Sequence, residues 1–324
     1  MERGKISVII PVYNGAAWLA ECVNSILKQS FQNFEVLILD DHSTDGTTEL
    51  AQRLVQKDFR IRLMQRSQKG VSSARNQGIE ETDGEYITFI DADDKIDCKM
   101  FENLLNCLEK ENSDMVLCGY YRWNGENAEN PDNGDYNLIT VDKTTYISEY
   151  FLHGNTRCWS ILYRRDVIGD VRFREDLTIG EDMMFLVDLM KNLKRISITD
   201  YKGYFYRINP NGAMLRPFTP SYMDEIRAWK AAEQIIGEEY PQQKARLSSI
   251  LAVSSMLIAG KLSRLSKEER KPYQKYVAEC RDTVKKALKE PGAKSQLPAG
   301  YGIKTTLFTL CPEAYLKLYQ SWKG

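Results

Sequence analysis

The run Tyr86-Ile87-Thr88-Phe89-Ile90-Asp91-Ala92-Asp93-Asp94 constrains this chain more than any other stretch. A largely apolar segment ends abruptly in three carboxylates. Continuous apolar runs of this length suit a strand of a parallel sheet covered on both faces. In an open α/β sheet the ligand crevice lies beyond the carboxyl ends of the strands. Asp91 and Asp93 are therefore expected to project into a site from alternate positions that a hard cation bridges. Mg2+ or Mn2+ suits such a pair and also takes substrate phosphate oxygens. The competing reading is that Asp91 to Asp94 only turns the chain and caps the next helix.

The surrounding sequence alternates. Residues 6–10, 34–39, 61–64, 86–90 and 115–118 read as strands, with Pro11 expected to break the first. Helices are expected over 16–28, 44–56 (capped by Ser43 or Thr44), 71–80 and 100–109. In the first of these Leu19, Val23, Ile26 and Leu27 share a face. Strand–helix alternation at this spacing predicts βαβ units and a mostly parallel sheet. The Asn-, Asp- and Gly-rich stretch 123–137 reads as an exposed loop or hairpin. A helix near 143–152, a strand over 158–163, a helix over 180–192 and a strand over 201–208 follow. Beyond Pro220 the texture becomes long amphipathic helices over 220–237, 241–265 and 267–289. In the middle one Leu247, Ile250, Leu251, Leu257, Ile258, Leu262 and Leu265 recur at helical spacing. A boundary near residue 215 is expected, giving a catalytic domain over 1–215 and a helical region over 216–324.

Bulk properties exclude several classes. The net charge of −1 gives no footprint for nucleic acid. Seven cysteines, an odd number with no Cys-x-x-Cys pair, argue for a reducing compartment and against a thiolate zinc site. With only His42 and His153, histidine metal sites are not expected. The N-terminus enters a strand pattern directly, without a signal-peptide pattern. No apolar run is expected to reach the roughly 18 residues of a membrane span; the longest, 250–259, is short and holds two serines. A cytoplasmic protein is expected.

Four successive strand ends carry polar residues: Pro11-Val12-Tyr13-Asn14-Gly15, Asp40-Asp41-His42-Ser43-Thr44-Asp45-Gly46, Gly70-Val71-Ser72-Ser73-Ala74-Arg75-Asn76, and Asp91-Ala92-Asp93-Asp94. Any one suits a turn; four on one face of one sheet suit a site. With Ser7-Val8-Ile9-Ile10 before the first, Gln77-Gly78 after the third and Gly180-Glu181-Asp182 downstream, the chain resembles the family-2 glycosyltransferases of the GT-A fold over about residues 5–207.

That resemblance implies an α/β, Rossmann-like, mostly parallel sheet flanked by helices, with a C-terminal helical region. It implies that Pro11, Tyr13 and Asn14 line the base and ribose pocket of a nucleotide-sugar. Asp41 would accept from the imide N–H of a uracil-like base, since an ionised Asp only accepts. Arg75 would meet a phosphate or the base, or else form a surface ion pair. Asp93 would bind Mg2+ or Mn2+, with Asp91 holding the ribose or the metal through water. Asp182 would be the general base for the acceptor hydroxyl, with Glu181 orienting the acceptor; the alternative is that both complement a helix dipole. One displacement with one base implies an inverting transfer from a UDP-sugar to a glycan or lipid-linked acceptor, in cell-surface polysaccharide synthesis.

The chain departs from the family pattern at two places. His42 stands where Gly is common, and His tolerates unusual backbone angles. The stretch Trp159-Ser160-Ile161-Leu162-Tyr163-Arg164 lacks a family lysine, leaving Arg157, Arg164 or Arg207 to replace it. Near the C-terminus Tyr315, Leu318, Tyr319 and Trp322 share one helical face beside Lys317 and Lys323. Such a helix either lies in a membrane interface, as a peripheral contact, or docks on the protein's own core. A homo-oligomer is also compatible with the helical region. The alternative functions are a nucleotidyltransferase, disfavoured by the absence of a Gly-rich basic loop after the first strand, and a non-catalytic sugar-nucleotide-binding protein. A dinucleotide enzyme would need a Gly-x-Gly-x-x-Gly turn, which is absent.

Overall fold

The apolar run at 6–10 lies inside a longer strand, β1 (Glu2–Val12), at the heart of the first half of the chain. The other strands are β2 (Phe34–Asp40), β3 (Ile61–Gln65), β4 (Gly84–Phe89), β5 (Lys95–Ile96), β6 (Met115–Leu117), β7 (Tyr120–Trp123), β8 (Leu138–Asp142), β9 (Ile161–Arg164), β10 (Arg195–Thr199) and β11 (Tyr204–Arg207). This computed structural model describes residues 2–65, 69–124, 136–209, 212 and 216–323, without the side chains of Arg3, Trp322 and Lys323. The chain divides into two compact units. One holds Met1–Phe151, Asn155–Asp176 and Asp188–Gly212; the other holds Leu152–Gly154, Leu177–Val187 and Ala213–Gly324. The loop expected over 123–137 and the boundary expected near 215 fall mostly or wholly outside the described residues.

Among the described residues of the first unit the main sheet runs β3-β2-β1-β4-β9-β6-β10-β8. β1, β2, β3 and β4 are mutually parallel, as are β6 and β10, while β9 and β8 run antiparallel to their neighbours. Helices α1 (Leu19–Leu27), α2 (Thr47–Lys57), α3 (Val71–Glu81) and α4 (Met100–Glu111) connect the early strands. Val8, Ile10 and Ile38 of the sheet and Leu19, Val23 and Ile26 of α1 are fully buried in one cluster. Each such side chain contributes about 1.5–3 kcal/mol on leaving water. Short pieces, α5 (Lys143–Thr145) and α6 (Arg165–Ile168), flank β9; α5 runs on through a π-turn and a 3-10 turn to His153.

Two local expectations are corrected. Pro11 does not break β1, which continues to Val12 with Pro11 opposite Leu39. The last β1–β4 partners are Ile9 and Phe89. Pro11 shares the bonding side of Ile9, so its missing N–H faces β4 beyond the ladder's end and removes no bond to β2. Nor do Ser43 or Thr44 cap α2. Gly46 takes the N-cap with φ 92°, and the Asp45 side chain accepts from Thr47 N at 3.1 Å. Of a small sheet of order β5-β11-β7, only the central strand, expected over 201–208, was read from the sequence. The flanking β5 and β7 are two and four residues long, too short for a periodic signal.

The second unit is helical. It holds the start of α7 (Glu181–Leu189), then α8 (Met223–Glu239), α9 (Lys244–Ser263), α10 (Lys267–Arg270), α11 (Gln274–Ala287), α12 (Tyr301–Leu310) and α13 (Pro312–Lys323). The single helix expected over 267–289 is two. Ser266 opens α10 with a capping box, and the 3-10 turn Lys271–Tyr273 carries Pro272, which has no N–H for a continuous ladder. Against expectation, one stretch, Pro241–Ser263, is long and apolar enough to cross a membrane, though 67% of its 18-residue apolar window is buried inside the protein. Its Gly260 packs against the Tyr319 ring, where a Cβ would lie 2.5 Å from the ring carbon. Tyr315 is buried on Phe308, with ring centroids 5.0 Å apart. Tyr315 and Tyr319 thus dock within the unit, while Leu318 from the same stripe is exposed.

Candidate active site

The carboxyl ends of β1, β2 and β4 lie side by side. Val12 pairs with Asp40 and Ile9 with Phe89; Asp41 N donates to Val12 O at 2.8 Å and Ile90 N to Ile9 O at 3.1 Å. The loop before α3 joins them, because Gly70 N donates to Asp41 Oδ2 at 2.9 Å. The structure therefore gathers Pro11, Tyr13, Asn14, Asp41, Arg75, Asp91 and Asp93 along one sheet edge.

The first two loops are built as a pair. Asn14 and His42 adopt left-handed φ of 50° and 61°, as His42 was expected to tolerate. Asn14 N donates to Ser43 Oγ at 2.8 Å, and Asn14 Oδ1 accepts from Thr44 N at 2.8 Å. The side-chain carbonyl of Asn14 is thus engaged in holding the second loop. Asp40 accepts from Ser43 N and Thr48, and Asp45 from Ala16 N and Thr47. Burial would raise the Asp45 pKa, but the bonds from Thr47 and Ala16 outweigh it and hold it below its ordinary value. Both acids act as loop fasteners. Pro11 is buried, whereas the Tyr13 ring is 61% exposed and offers a free face.

The acids after β4 differ sharply from one another. Asp94 is buried and structural: Oδ2 accepts from the Tyr204 hydroxyl at 2.7 Å and Oδ1 from Arg207 N at 2.7 Å. The same Tyr204 oxygen accepts from Asp91 N at 3.2 Å. Burial, then the neighbouring charges of Asp91 and Asp93, push the Asp94 carboxyl well above its usual range. Asp91 Oδ1 pairs with Arg75 Nη2 at 3.1 Å. That guanidinium is only 3% exposed and lies 5.2 Å from the Phe173 ring centre, so its visible task is to orient Asp91. Asp93 O accepts from Arg207 Nε at 2.6 Å, and Asp93 Oδ2 from Asn209 Nδ2 at 3.1 Å. Asp91 and Asp93 are partly open to solvent.

Sequence reading missed Tyr204, Arg207 as a fastener, and Asn209. Each lies more than a hundred residues from the acids, in or just after β11, and no local pattern links them. Among the described residues no three His, Cys, Asp or Glu side chains form a group that holds a metal unaided. Two half-open carboxylates nonetheless fit Mg2+ or Mn2+. Mg2+ in particular uses one or two carboxylates, keeps waters and takes substrate phosphate oxygens.

Glu181 and Asp182 belong to the second unit, half-buried in the first turn of α7. Acids there meet the partial positive charge of a helix start. Gly180 before them has φ 87°, and a Cβ on it would lie 2.8 Å from Ala228 Cβ on α8, so both backbone and packing require glycine. Thr178 N donates to Asp224 Oδ2 at 2.9 Å and fixes the approach to this turn.

A family model described as Glycosyl transferase family 2 matches residues 7–172. The uncharacterized glycosyltransferase EpsJ of Bacillus subtilis is 32% identical over 228 residues, 68% of this chain and 65% of that protein. Glycosyltransferase GlyG of Streptococcus pneumoniae is 40% identical over 119 residues, 36% of this chain and 40% of that one. The chain thus spans two thirds or less of these relatives. A crystal structure of Staphylococcus aureus TarS residues 1-349 in complex with UDP-GlcNAc aligns over 98% of this chain and 90% of that one, with a TM-score of 0.73 and 20% identity. That likeness shows the fold, the GT-A architecture expected from the motifs. Spanning half the chain and all four strand-end loops, the family match shows that this chain belongs to glycosyl transferase family 2.

Proposed function

We propose that this chain transfers a sugar from a UDP-sugar to a hydroxyl of a glycan or lipid-linked acceptor in cell-surface polysaccharide synthesis, with inversion and with Mg2+ or Mn2+ bound. The carrying observation is the partly open carboxylate pair, Asp91 and Asp93, at an edge where three strand ends and the loop before α3 meet. The family membership supports glycosyl transfer, and the UDP-GlcNAc held by TarS supports a uridine donor.

On this reading the exposed Tyr13 ring stacks on the base, with Pro11 and Asn14 lining base and ribose. Asp41, which also accepts from Gly70 N, accepts the imide N–H of the base. Arg75 holds Asp91 in place and lends positive charge to the phosphates. Asp93, with Asp91, would hold the metal, whose charge would offset that developing on the departing diphosphate. At an effective dielectric near 20, unit charges about 4 Å apart gain roughly 4 kcal/mol. Asp182 takes the acceptor proton as its oxygen bonds to the anomeric carbon and the bond to the diphosphate breaks. Glu181 orients the acceptor. A single displacement inverts the centre.

We further infer a cytoplasmic enzyme with its donor chemistry before residue 215 and association after it. Ile303 and Leu310, 79% and 80% exposed, support peripheral contact with a membrane face or with a second copy. The test is UDP release from a panel of UDP-sugars with Mn2+ or with chelator. Metal-dependent release from one donor is expected. Asp182→Asn is expected to keep UDP binding by calorimetry and to lose about 10²- to 10⁴-fold in transfer. Wild-type protein that binds no UDP with Mn2+ present rejects the proposal.

A further inference from the structure

Of the three arginines available to replace the absent family lysine, two are already engaged. Arg207 pairs with Glu21 at 2.5 Å, donates to Asp93 O and lies 4.5 and 4.0 Å from the ring centres of Trp18 and Trp123. Arg164 sits opposite Tyr86, at the other edge of the sheet, where it donates to Ser113 O at 2.8 Å and pairs with Glu109 at 3.1 Å. Arg157 is different. Its Nε donates to Ser160 Oγ at 3.2 Å and its Nη1 to Asn155 Oδ1 at 3.0 Å, both neutral. Among the described residues no carboxylate pairs with it. Burial lowers its pKa, while Tyr120, Cys118, Tyr146 and Tyr163 act in the opposite sense. A guanidinium withdrawn from water and held only by neutral groups is costly until an anion joins it.

The rings around Arg157 form a continuous wall. Its guanidinium carbon lies 4.5 Å from the Tyr120 ring centre and 4.8 Å from that of Trp159. Trp159 stacks on Tyr206 at 5.1 Å with 9° between planes, and on Tyr204 at 4.7 Å. Tyr204 is the residue whose hydroxyl binds Asp94, so the wall runs from the acidic strand end to Arg157. Tyr120 is 36% exposed, and Tyr206 and Arg157 are partly open. Beneath them Ser160 is buried with φ 59°, an uncommon conformation for a residue with a side chain, and its hydroxyl orients Arg157. Flat ring faces suit the C–H faces of a sugar, and the guanidinium fork suits a phosphate or carboxylate.

We propose that Tyr120, Tyr206 and Arg157, backed by the buried Trp159, form an acceptor subsite for a saccharide bearing a phosphate or carboxylate, with the sugar face on the two open rings and the anion on Arg157. The word acceptor rests on the glycosyl-transfer reading. The test titrates the full chain, with UDP and Mn2+ present, with glucose 6-phosphate, glucuronic acid and methyl glucoside, read by calorimetry. At least one of the two anionic probes is expected to bind about tenfold or more tighter than methyl glucoside. Whichever binds more tightly identifies the anion. Arg157→Gln is expected to remove the preference and Arg157→Lys to keep part of it. Tyr120→Ala is expected to weaken all three probes, with UDP affinity unchanged in each variant. Should Arg157→Gln not fold, Arg157→Lys and Tyr120→Ala carry the test. Equal binding of the probes, no binding at tens of millimolar, or an anion preference that survives Arg157→Gln overturns the proposal while UDP binding stands. Wild type that fails to bind UDP overturns the transfer reading, and the acceptor role with it.

Discussion

At the amino edge of the main sheet Lys5 reaches Asp83 at 2.6 Å, Glu2 at 3.3 Å and Glu35 at 3.4 Å, while Arg62 reaches Glu35 at 3.0 Å. Arg165 nearby donates to the carbonyls of Ile79 and Gly84 and to the hydroxyl of Thr82. At the carboxyl edge three acids follow β4, and the cations among their partners are the buried Arg75 and Arg207, the latter also committed to Glu21. The first edge closes its charges on itself; at the second, Asp91 and Asp93 keep their carboxylates partly open, and burial, then their charges, raise the Asp94 carboxyl. Charged residues therefore locate a site only where their partners fail to balance them. Ion-pair clusters of the first kind are ordinary structural features of a sheet edge.

The sharpest way to break this contrast is Asp93→Ala. Mn2+-assisted UDP binding and transfer should fall by about 10²-fold or more, since a full unit charge opposite the metal is lost, while thermal unfolding stays close to wild type. Loss of the fold instead would make Asp93 a structural acid like its neighbour. Asp94→Ala should do the opposite to the protein's stability: with the Tyr204 hydroxyl and Arg207 N–H left unpaired in the interior, about 2–4 kcal/mol should vanish in urea unfolding. At the amino edge, Glu35→Gln removes the centre of the cluster, where Ser7, Arg62 and Asp83 N donate. Stability should drop by about 1–3 kcal/mol, with UDP affinity unaltered. A change in UDP binding would show that the edges are not independent.

The smallest effect tests the pH dependence of the balanced edge. The Lys5 hydrogen bond, partly opposed by burial, holds the Asp83 carboxyl below its ordinary 3.8. A depressed acid stabilises the fold above its unfolded pKa and loses that contribution as pH falls through its lower folded value. Wild type should therefore melt slightly above Asp83→Asn at neutral pH, and the difference should shrink as pH falls below 3.8 towards the folded value. A difference that persists in acid would assign the effect to something other than this pair.

Much of the fold was legible because it is local. Val8, Ile10, Val36 and Ile38 announce buried strands by type, and the helix faces by period. The polar residues after each strand announced one populated edge, because parallel strands put all their carboxyl ends together. The helix boundaries at 272 and the caps at Gly46 and Asp45 escaped because one proline or glycine outweighs a longer periodic pattern. Pro11 misled in the other direction: its effect depends on whether a neighbouring strand needs its N–H, which the chain itself does not say. Of the second small sheet only β11 was legible, because β5 and β7 are too short to carry a period.

The sequence by itself determined that carboxylates would stand at the ends of buried parallel strands, since residue type and spacing suffice for that. Only the tertiary structure decided which of them are held inside and which face outward. Asp94 is fastened by Tyr204 and Arg207 and Asp93 is braced by Asn209, all from the far side of more than a hundred residues. The same folding leaves Arg157 with neutral partners among the described residues while Arg207 finds Glu21. Partnership between charges depends on separation in space, which long loops close and no local pattern records.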